Sequence, residues 1–259
     1  MAQTTKRSAS EDVATFYDAL APNYDEMTGF QKRFVQEKPF FRLLVEKYGI
    51  ASALDAGCGT GFHALLLAQL GVKVTGIDLS RDMLRRAEQH ARELGVKVEF
   101  LQANFQTPLK KKQFDAVFCL GNSLAHVLRM EDLRATLKGF AQMLTPGKIV
   151  FLQTLNYDRI LAQKERVQSI KESNGTTFIR FYDYGEETIV FNLLTIGKTK
   201  SSIEQKLQSV ELRPWLQTEL ITLLGEIGFD DVKSFGGISM EEFHPETSTN
   251  LVILARKSG

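Results

Sequence analysis

The stretch Asp55-Ala56-Gly57-Cys58-Gly59-Thr60-Gly61 sets an acid and three glycines at alternate positions, directly before the apolar run Phe62 to Leu70. Glycine lets the chain turn with positive φ and lets a ligand approach the main chain with no Cβ in the way. A helix starting at this point adds free N–H groups and the positive end of its dipole. The chemistry implied is a seat for a carboxylate or another anionic edge. A second acid, Asp78, lies 21 positions after Gly57 at the end of the run Val72 to Ile77. A carboxylate at a strand end with this spacing can accept from both hydroxyls of a ribose. One helical turn on, Met83 has a side chain suited to lie against a flat adenine. The fingerprint of a dinucleotide site places its third glycine where this chain has Phe62, so the glycine spacing is not that of a nicotinamide enzyme.

Holding these groups together requires strands that end at the acids and helices that bring the chain back. Strands are expected over 51–55, 72–78, 96–101, 114–120 and 148–155, with helices over 61–70, 80–94 and 131–144. Short β-branched runs alternating with amphipathic segments make crossover connections, hence an α/β, doubly wound, mostly parallel sheet. Ligands of such sheets bind outside the carboxyl ends of the strands. Two helices precede the alternation, 10–20 and about 31–48, the first broken at Ala21-Pro22-Asn23 and the second carrying Pro39 near a kink. From 164 to 213 the period changes to two, with hairpin turns at Asn174-Gly175 and Tyr184-Gly185-Glu186, which reads as an inserted antiparallel sheet. Pro214 opens a further helix. Phe229–Phe235 and Asn250–Ala255 are the last strands, their short link suiting an antiparallel final strand. The expected organisation is a helical cap over 1–50, a cofactor-binding core over 51–163, a substrate lid over 164–213 and the end of the core over 214–259.

Composition excludes several classes of partner. The 259 residues suffice for one large domain with an insertion, and Lys plus Arg (32) nearly cancel Asp plus Glu (31). That balance leaves no electrostatic footprint for nucleic acid or an anionic membrane, and Lys110-Lys111-Lys112 reads as a solvated turn. The first ten residues are polar and small, as in a disordered terminus, with no apolar core of a signal peptide. Cys58 and Cys119 fit neither a disulfide framework nor metal-ligand spacing, and suit a cytoplasmic protein.

The pattern Asp-x-Gly-x-Gly-x-Gly resembles the first motif of class I S-adenosylmethionine-dependent methyltransferases. Phe16 to Asp25 resembles the cap segment that in many small-molecule methyltransferases folds over the cofactor. Cys119-Leu120-Gly121-Asn122-Ser123-Leu124-Ala125-His126 and Asn156-Tyr157-Asp158-Arg159-Ile160-Leu161 resemble two motifs of the glycine/sarcosine N-methyltransferase group. The resemblance implies a seven-stranded Rossmann-like sheet with S-adenosylmethionine as cofactor. It implies cofactor contacts from Tyr24, Arg33, Asp55, Gly57, Cys58, Gly59, Asp78, Leu79, Met83, Asn104, Phe105, Leu120 and Asn122. Arg33 would pair the cofactor carboxylate, since guanidinium matches carboxylate bidentately. Asn104 stands where the family has aspartate. Substrate contacts would come from His126 and Asn156, and from Arg180 and Tyr182 of the insertion, with Tyr184 and Arg213 as further candidates.

The group carries arginine where this chain has Leu155. The implied reaction is methyl transfer to a small-molecule acceptor, an amine, with no catalytic acid or base assigned and no metal. Transfer to oxygen or carbon of a larger apolar molecule is the alternative, consistent with Leu155. A nicotinamide-dependent reductase and a non-catalytic cofactor-binding scaffold complete the set. Whether the chain is a monomer or a homo-oligomer is left open.

Overall fold

A computed structural model of the chain describes residues 9–109, 112–198 and 203–259. Residues 1–8, 110–111 and 199–202, on which parts of the expectations for the first ten residues, the lysine run and the 164–213 insertion fall, lie outside these. Two helices come first, α1 (Ala9–Thr28) and α2 (Phe30–Tyr48). The alternation then runs β1 (Ser52–Ala56), α3 (Phe62–Gln69), β2 (Lys73–Asp78), α4 (Arg81–Leu94), β3 (Glu99–Gln102), β4 (Phe114–Cys119), α5 (Met130–Met143), β5 (Leu144–Leu155) and α6 (Tyr157–Gln163). Four strands follow: β6 (Val167–Ser173), β7 (Thr176–Tyr184), β8 (Ile189–Lys198) and β9 (Ile203–Leu212). The chain ends with α7 (Gln217–Ile227), β10 (Phe229–Phe235) and β11 (Asn250–Lys257).

The main sheet has seven strands in the order β10-β11-β5-β4-β1-β2-β3, parallel except that β11 pairs antiparallel with both neighbours. The direction of winding reverses between β1 and β4, which opens a crevice at the carboxyl ends of these two strands. The period-two segment forms its own antiparallel sheet, β6-β7-β8-β9. Asn174 and Gly175 both take positive φ (46° and 78°), the conformation that a two-residue type I′ hairpin requires.

Three apolar clusters hold these layers. One face of the main sheet packs against α5 and α7 with Trp215, the other against α2 and α3, and a third cluster seats α1 and the four-stranded sheet together through Phe16, Leu20, Phe178 and Leu193. Trp215 is fully buried and its indole N–H donates to the Val127 carbonyl at 2.9 Å. That bond pins the end of the insertion to the loop after β4.

The expected break at Ala21-Pro22-Asn23 does not occur; α1 continues through Pro22 to Thr28. A proline inside a helix forfeits one hydrogen bond and costs about 3 kcal/mol. Ala21 before it and Met27 after it are both buried, so packing against the insertion offsets that local cost. The turn falls instead at Gly29, whose φ of 71° is left-handed.

Candidate active site

The glycine turn is held from beneath. The Gly57 and Cys58 N–H groups both donate to the Ile77 carbonyl (2.8 and 2.9 Å), fastening the turn to β2. Gly57 and Gly61 have φ of 77° and 86°. A Cβ on Gly57 would lie 2.6 Å from Ser123 Oγ, and one on Gly61 would lie 2.9 Å from Ala87 Cβ. Gly59 also has positive φ, but a Cβ there would meet nothing nearer than Tyr24 at 3.9 Å. Its main chain thus faces open space.

Asp78 stands beside this opening. Its Oδ2 accepts from Gly59 N–H at 2.8 Å and its Oδ1 from Ser80 N–H at 2.9 Å. Burial pushes its carboxyl upward, while the N–H groups of Ser80, Gly59 and Leu79 hold it down. Each oxygen retains a lone pair for a ligand donor.

Asp55 does something different from what its place in the motif suggests. It is 1 % exposed, lies under the turn rather than on the cavity, and accepts from the Ala64 N–H in the first turn of α3 at 3.0 Å. It aims the turn without touching the space above it. Burial raises its pKa to about 6; His63 and the Ala64 N–H oppose the shift and Asp78 adds to it. A folded-state pKa above the unfolded value of about 3.9 means that protonation favours folding. The contribution is complete below pH ~4 and is lost as pH rises through ~6, in all about 3 kcal/mol. Asp55→Asn cannot titrate. Urea denaturation should therefore show the wild-type stability, measured relative to the variant, falling by about that amount between pH 4 and 7. A pH-independent difference would contradict the burial argument.

A narrow cavity of about 100 Å³ lies over the turn, lined by Gly57, Cys58, Gly59, Asp78 and Leu79, with Asn104, Phe105 and Leu120 at its sides. Tyr24 of α1 and Arg33 of α2 line it as well. Ten of the thirteen expected cofactor residues meet here, and three do not. Met83 is fully buried in the cluster beneath α1 and lines neither this cavity nor the next, so it acts as core filler. Asp55 is the second, and Asn122 the third. The Asn122 amide donates to Tyr157 Oη (2.9 Å) and accepts from Leu155 N–H (3.0 Å), and it borders a second cavity. Asn104 spends its oxygen on the Gln106 N–H at 2.9 Å. Arg33 donates Nε to Glu37 (2.8 Å), and its guanidinium lies 4.4 Å above the Phe62 ring.

The second cavity, about 560 Å³, lies between the cap, the end of β5 and the four-stranded sheet. His126, Arg180 and Tyr182 line it as expected, together with Leu155. Asn156 does not. It is fully buried at the N-terminus of α6, accepting from Arg159 N–H and donating to the carbonyls of Pro245 and Ser248 (both 2.9 Å). Its expected substrate contact is replaced by a structural task, tying α6 to the β10–β11 connection. Tyr184 Oη donates to the Glu165 carbonyl, and Arg213 pairs with Glu187 (3.1 Å) over Trp215. Neither lines either cavity.

The two cavities share a wall made by Tyr17, Tyr24, Thr28, Arg33, Gly121 and His126. Within it, Tyr17 Oη and His126 Nε2 are hydrogen-bonded at 2.9 Å. Burial pushes His126 down to about 4 and Tyr17 well up, so both are neutral at pH 7. Tyr17 and Arg159 are among the wall and lining residues the sequence did not single out. Tyr17 lies in the recognised cap segment, but helical periodicity alone puts it among the core residues. Arg159 lies in the segment Asn156 to Leu161 that carries the resemblance, which implies a role for Asn156 and none for Arg159.

The methyltransferase domain family matches residues 53–147. The glycine/sarcosine N-methyltransferase of Aphanothece halophytica is 27% identical over 247 residues, covering 93% of this chain and 89% of that protein. The ubiquinone biosynthesis O-methyltransferase of Escherichia coli is 33% identical over 152 residues, 56% of this chain and 61% of that one. Among solved structures, an S-adenosylmethionine-dependent methyltransferase from Clostridium acetobutylicum superposes with a TM-score of 0.81 at 16% identity, over 94% of this chain and 99% of that one. A sugar N-methyltransferase from Streptoalloteichus gives 0.70 at 18%, over 91% and 93%. These two likenesses are of fold.

Proposed function

We propose that this chain is an S-adenosylmethionine-dependent methyltransferase that transfers the methyl group to the nitrogen of a small-molecule amine. The observation that carries the reading is the pair of adjoining cavities, one over the glycine turn beside Asp78, the other beneath the four-stranded sheet, with the Tyr17–His126 pair in their common wall. The relationship to glycine/sarcosine N-methyltransferases supports an amine as acceptor.

The residues over the turn suit the cofactor. The Asp78 carboxylate matches a ribose diol, the open face at Gly59 admits a ligand against main chain, and Phe105 with Leu79 offers apolar cover for a base. When bound, the cofactor supplies a methyl already activated by a positively charged sulfur. The protein's share of the work is then to align the acceptor and exclude water. A neutral His126 and a neutral Tyr17 suit a wall beside a sulfonium, because a protonated imidazole there would repel it. An amine arriving unprotonated needs no general base. The four-stranded sheet serves as the substrate-side cover. Both cysteines are buried and free, which fits a cytoplasmic setting, and no helix among the described residues is long and apolar enough to cross a membrane.

Incubation with S-adenosylmethionine and a panel of small amines, including glycine and sarcosine, should yield S-adenosylhomocysteine with stoichiometric N-methyl product. Turnover confined to phenols or quinols would replace this reading with the O-methyl alternative, for which Leu155, Phe16 and Phe191 in the second cavity are the supporting observation. Tyr17→Phe removes the bond to His126 while keeping the ring. It should lower kcat about 10- to 100-fold through misplacement of the wall, with cofactor affinity within about threefold of wild type. An unchanged kcat would show that the pair only packs.

A further inference from the structure

The charges around the second cavity do not balance. Its lining carries three arginines, Arg33, Arg159 and Arg180, and a single acid, Glu37, so three cations less one anion leave two positive charges. Glu37 is already committed to Arg33 at 2.8 Å and to His63 at 3.5 Å. The two arginines left over are Arg159 and Arg180. Arg159 Nε is buried with no hydrogen-bond partner, and its Nη1 reaches only the neutral amide of Gln163 at 3.2 Å. Among the described residues the Arg180 side chain makes no hydrogen bond or ion pair. Both arginines line the second cavity together with Tyr182. A partly buried guanidinium with its donors unspent is costly unless a ligand accepts from it.

We propose that Arg159 of α6 and Arg180 of β7 form a subsite for a doubly charged acid, so that the methyl acceptor is an amine carrying a phosphate-type or dicarboxylate group. This rests on the reading of the second cavity as the acceptor site. The cofactor's own carboxylate is not the anion in question. Arg33 lines both cavities and can serve it, whereas Arg159 and Arg180 line only the second. Two uncompensated charges match a dianion better than the single carboxylate of the smallest amino acids. Leu155 lines the same cavity, and being apolar it offers no third cation that would alter this count. The pair has a second effect: cations beside the acceptor favour its amine as the free base, the form that attacks.

The test compares acceptors that differ only in charge. Phosphoethanolamine and aspartate represent the two kinds of dianion, glycine and β-alanine the monoanion, and ethanolamine the uncharged amine. Methyl transfer is followed with the wild type, Arg159→Met and Arg180→Met. In parallel, calorimetry records binding of each compound to the protein loaded with S-adenosylhomocysteine. A dianionic amine should be methylated with a KM at least tenfold below glycine and ethanolamine. Each arginine variant should raise that KM about 10- to 100-fold, as expected for charge-assisted hydrogen bonds, with cofactor affinity unchanged and little effect on ethanolamine. Which dianion responds identifies the acid. Equal use of glycine, β-alanine or ethanolamine, or variants that weaken cofactor binding instead, would overturn the subsite and leave the methyltransferase reading standing. Dianion binding that is lost in both variants, with methylation at oxygen rather than nitrogen, would uphold the subsite and remove the amine. Binding of none of these anions at millimolar concentration would overturn the subsite outright, and because the ligand series uses the wild-type chain that outcome does not depend on how the variants fold.

Discussion

Asp78→Ala is expected to weaken S-adenosylmethionine binding by about 10²- to 10⁴-fold, the consequence of losing two hydrogen bonds to a charged acceptor at about 1.5–3 kcal/mol each. The carboxylate is already oriented by the Gly59 and Ser80 N–H groups, so a ribose diol would meet acceptors that need no rearrangement. Asp78→Asn keeps one oxygen and should fall between the two. Calorimetric titration of purified protein gives the comparison, and thermal melts separate it from misfolding. The Ala variant also leaves the Gly59 and Ser80 N–H groups without their acceptor, a cost that the thermal melts register. Affinity within about threefold of wild type would remove Asp78 from the cofactor site.

Gly57→Ala is expected to destabilise the fold by about 2–4 kcal/mol, combining a left-handed φ (about 1–2 kcal/mol for a residue with Cβ) with overpacking. The clash is specific. The new methyl would lie 2.6 Å from Ser123 Oγ and 2.8 Å from Ser123 Cβ, and Ser123 is anchored by its bond to the Leu120 carbonyl at 2.8 Å. Relief therefore requires moving the loop after β4 away from the turn after β1, which would spread the crevice in which the cofactor sits. Urea denaturation should show the loss, and cofactor affinity should fall with it. Ser123→Gly in the same background should restore the steric part and leave the φ penalty, a coupling that a double-mutant cycle reads directly. A change in stability below about 0.5 kcal/mol, far under the cost expected for overpacked sites, would mean that the turn relaxes freely.

The residues that the sequence placed well are those whose role is fixed by position along the chain. Glycines at Gly57, Gly59 and Gly61 and an acid at the end of β2 owe their place to backbone geometry, and backbone geometry is set within a few residues. The alternation of strands and helices and the inserted hairpins follow from periodicity, and the antiparallel last strand from the short link before it, for the same reason. Met83 and Asn156 show where that reasoning stops. The sequence singles out Met83 by its distance from Asp78 and Asn156 by a recognised motif, yet the neighbours brought by distant segments put Met83 into the core and turned the Asn156 amide toward Pro245 and Ser248. Pro22 is a similar case, since burial of Ala21 and Met27 overrides a local preference for breaking the helix.

By itself, then, the order of residues determined the sheet, the crevice at its switch point and the cofactor that suits it. Only the folded molecule decided how the acceptor side is built. The wall joining Tyr17 of α1 to His126, and the cavity in which Arg159 and Arg180 are left without an acid, each bring together side chains from segments far apart in sequence. Charge balance and hydrogen-bond satisfaction are properties of neighbourhoods in space, and no spacing along the chain encodes which neighbour a guanidinium will lack.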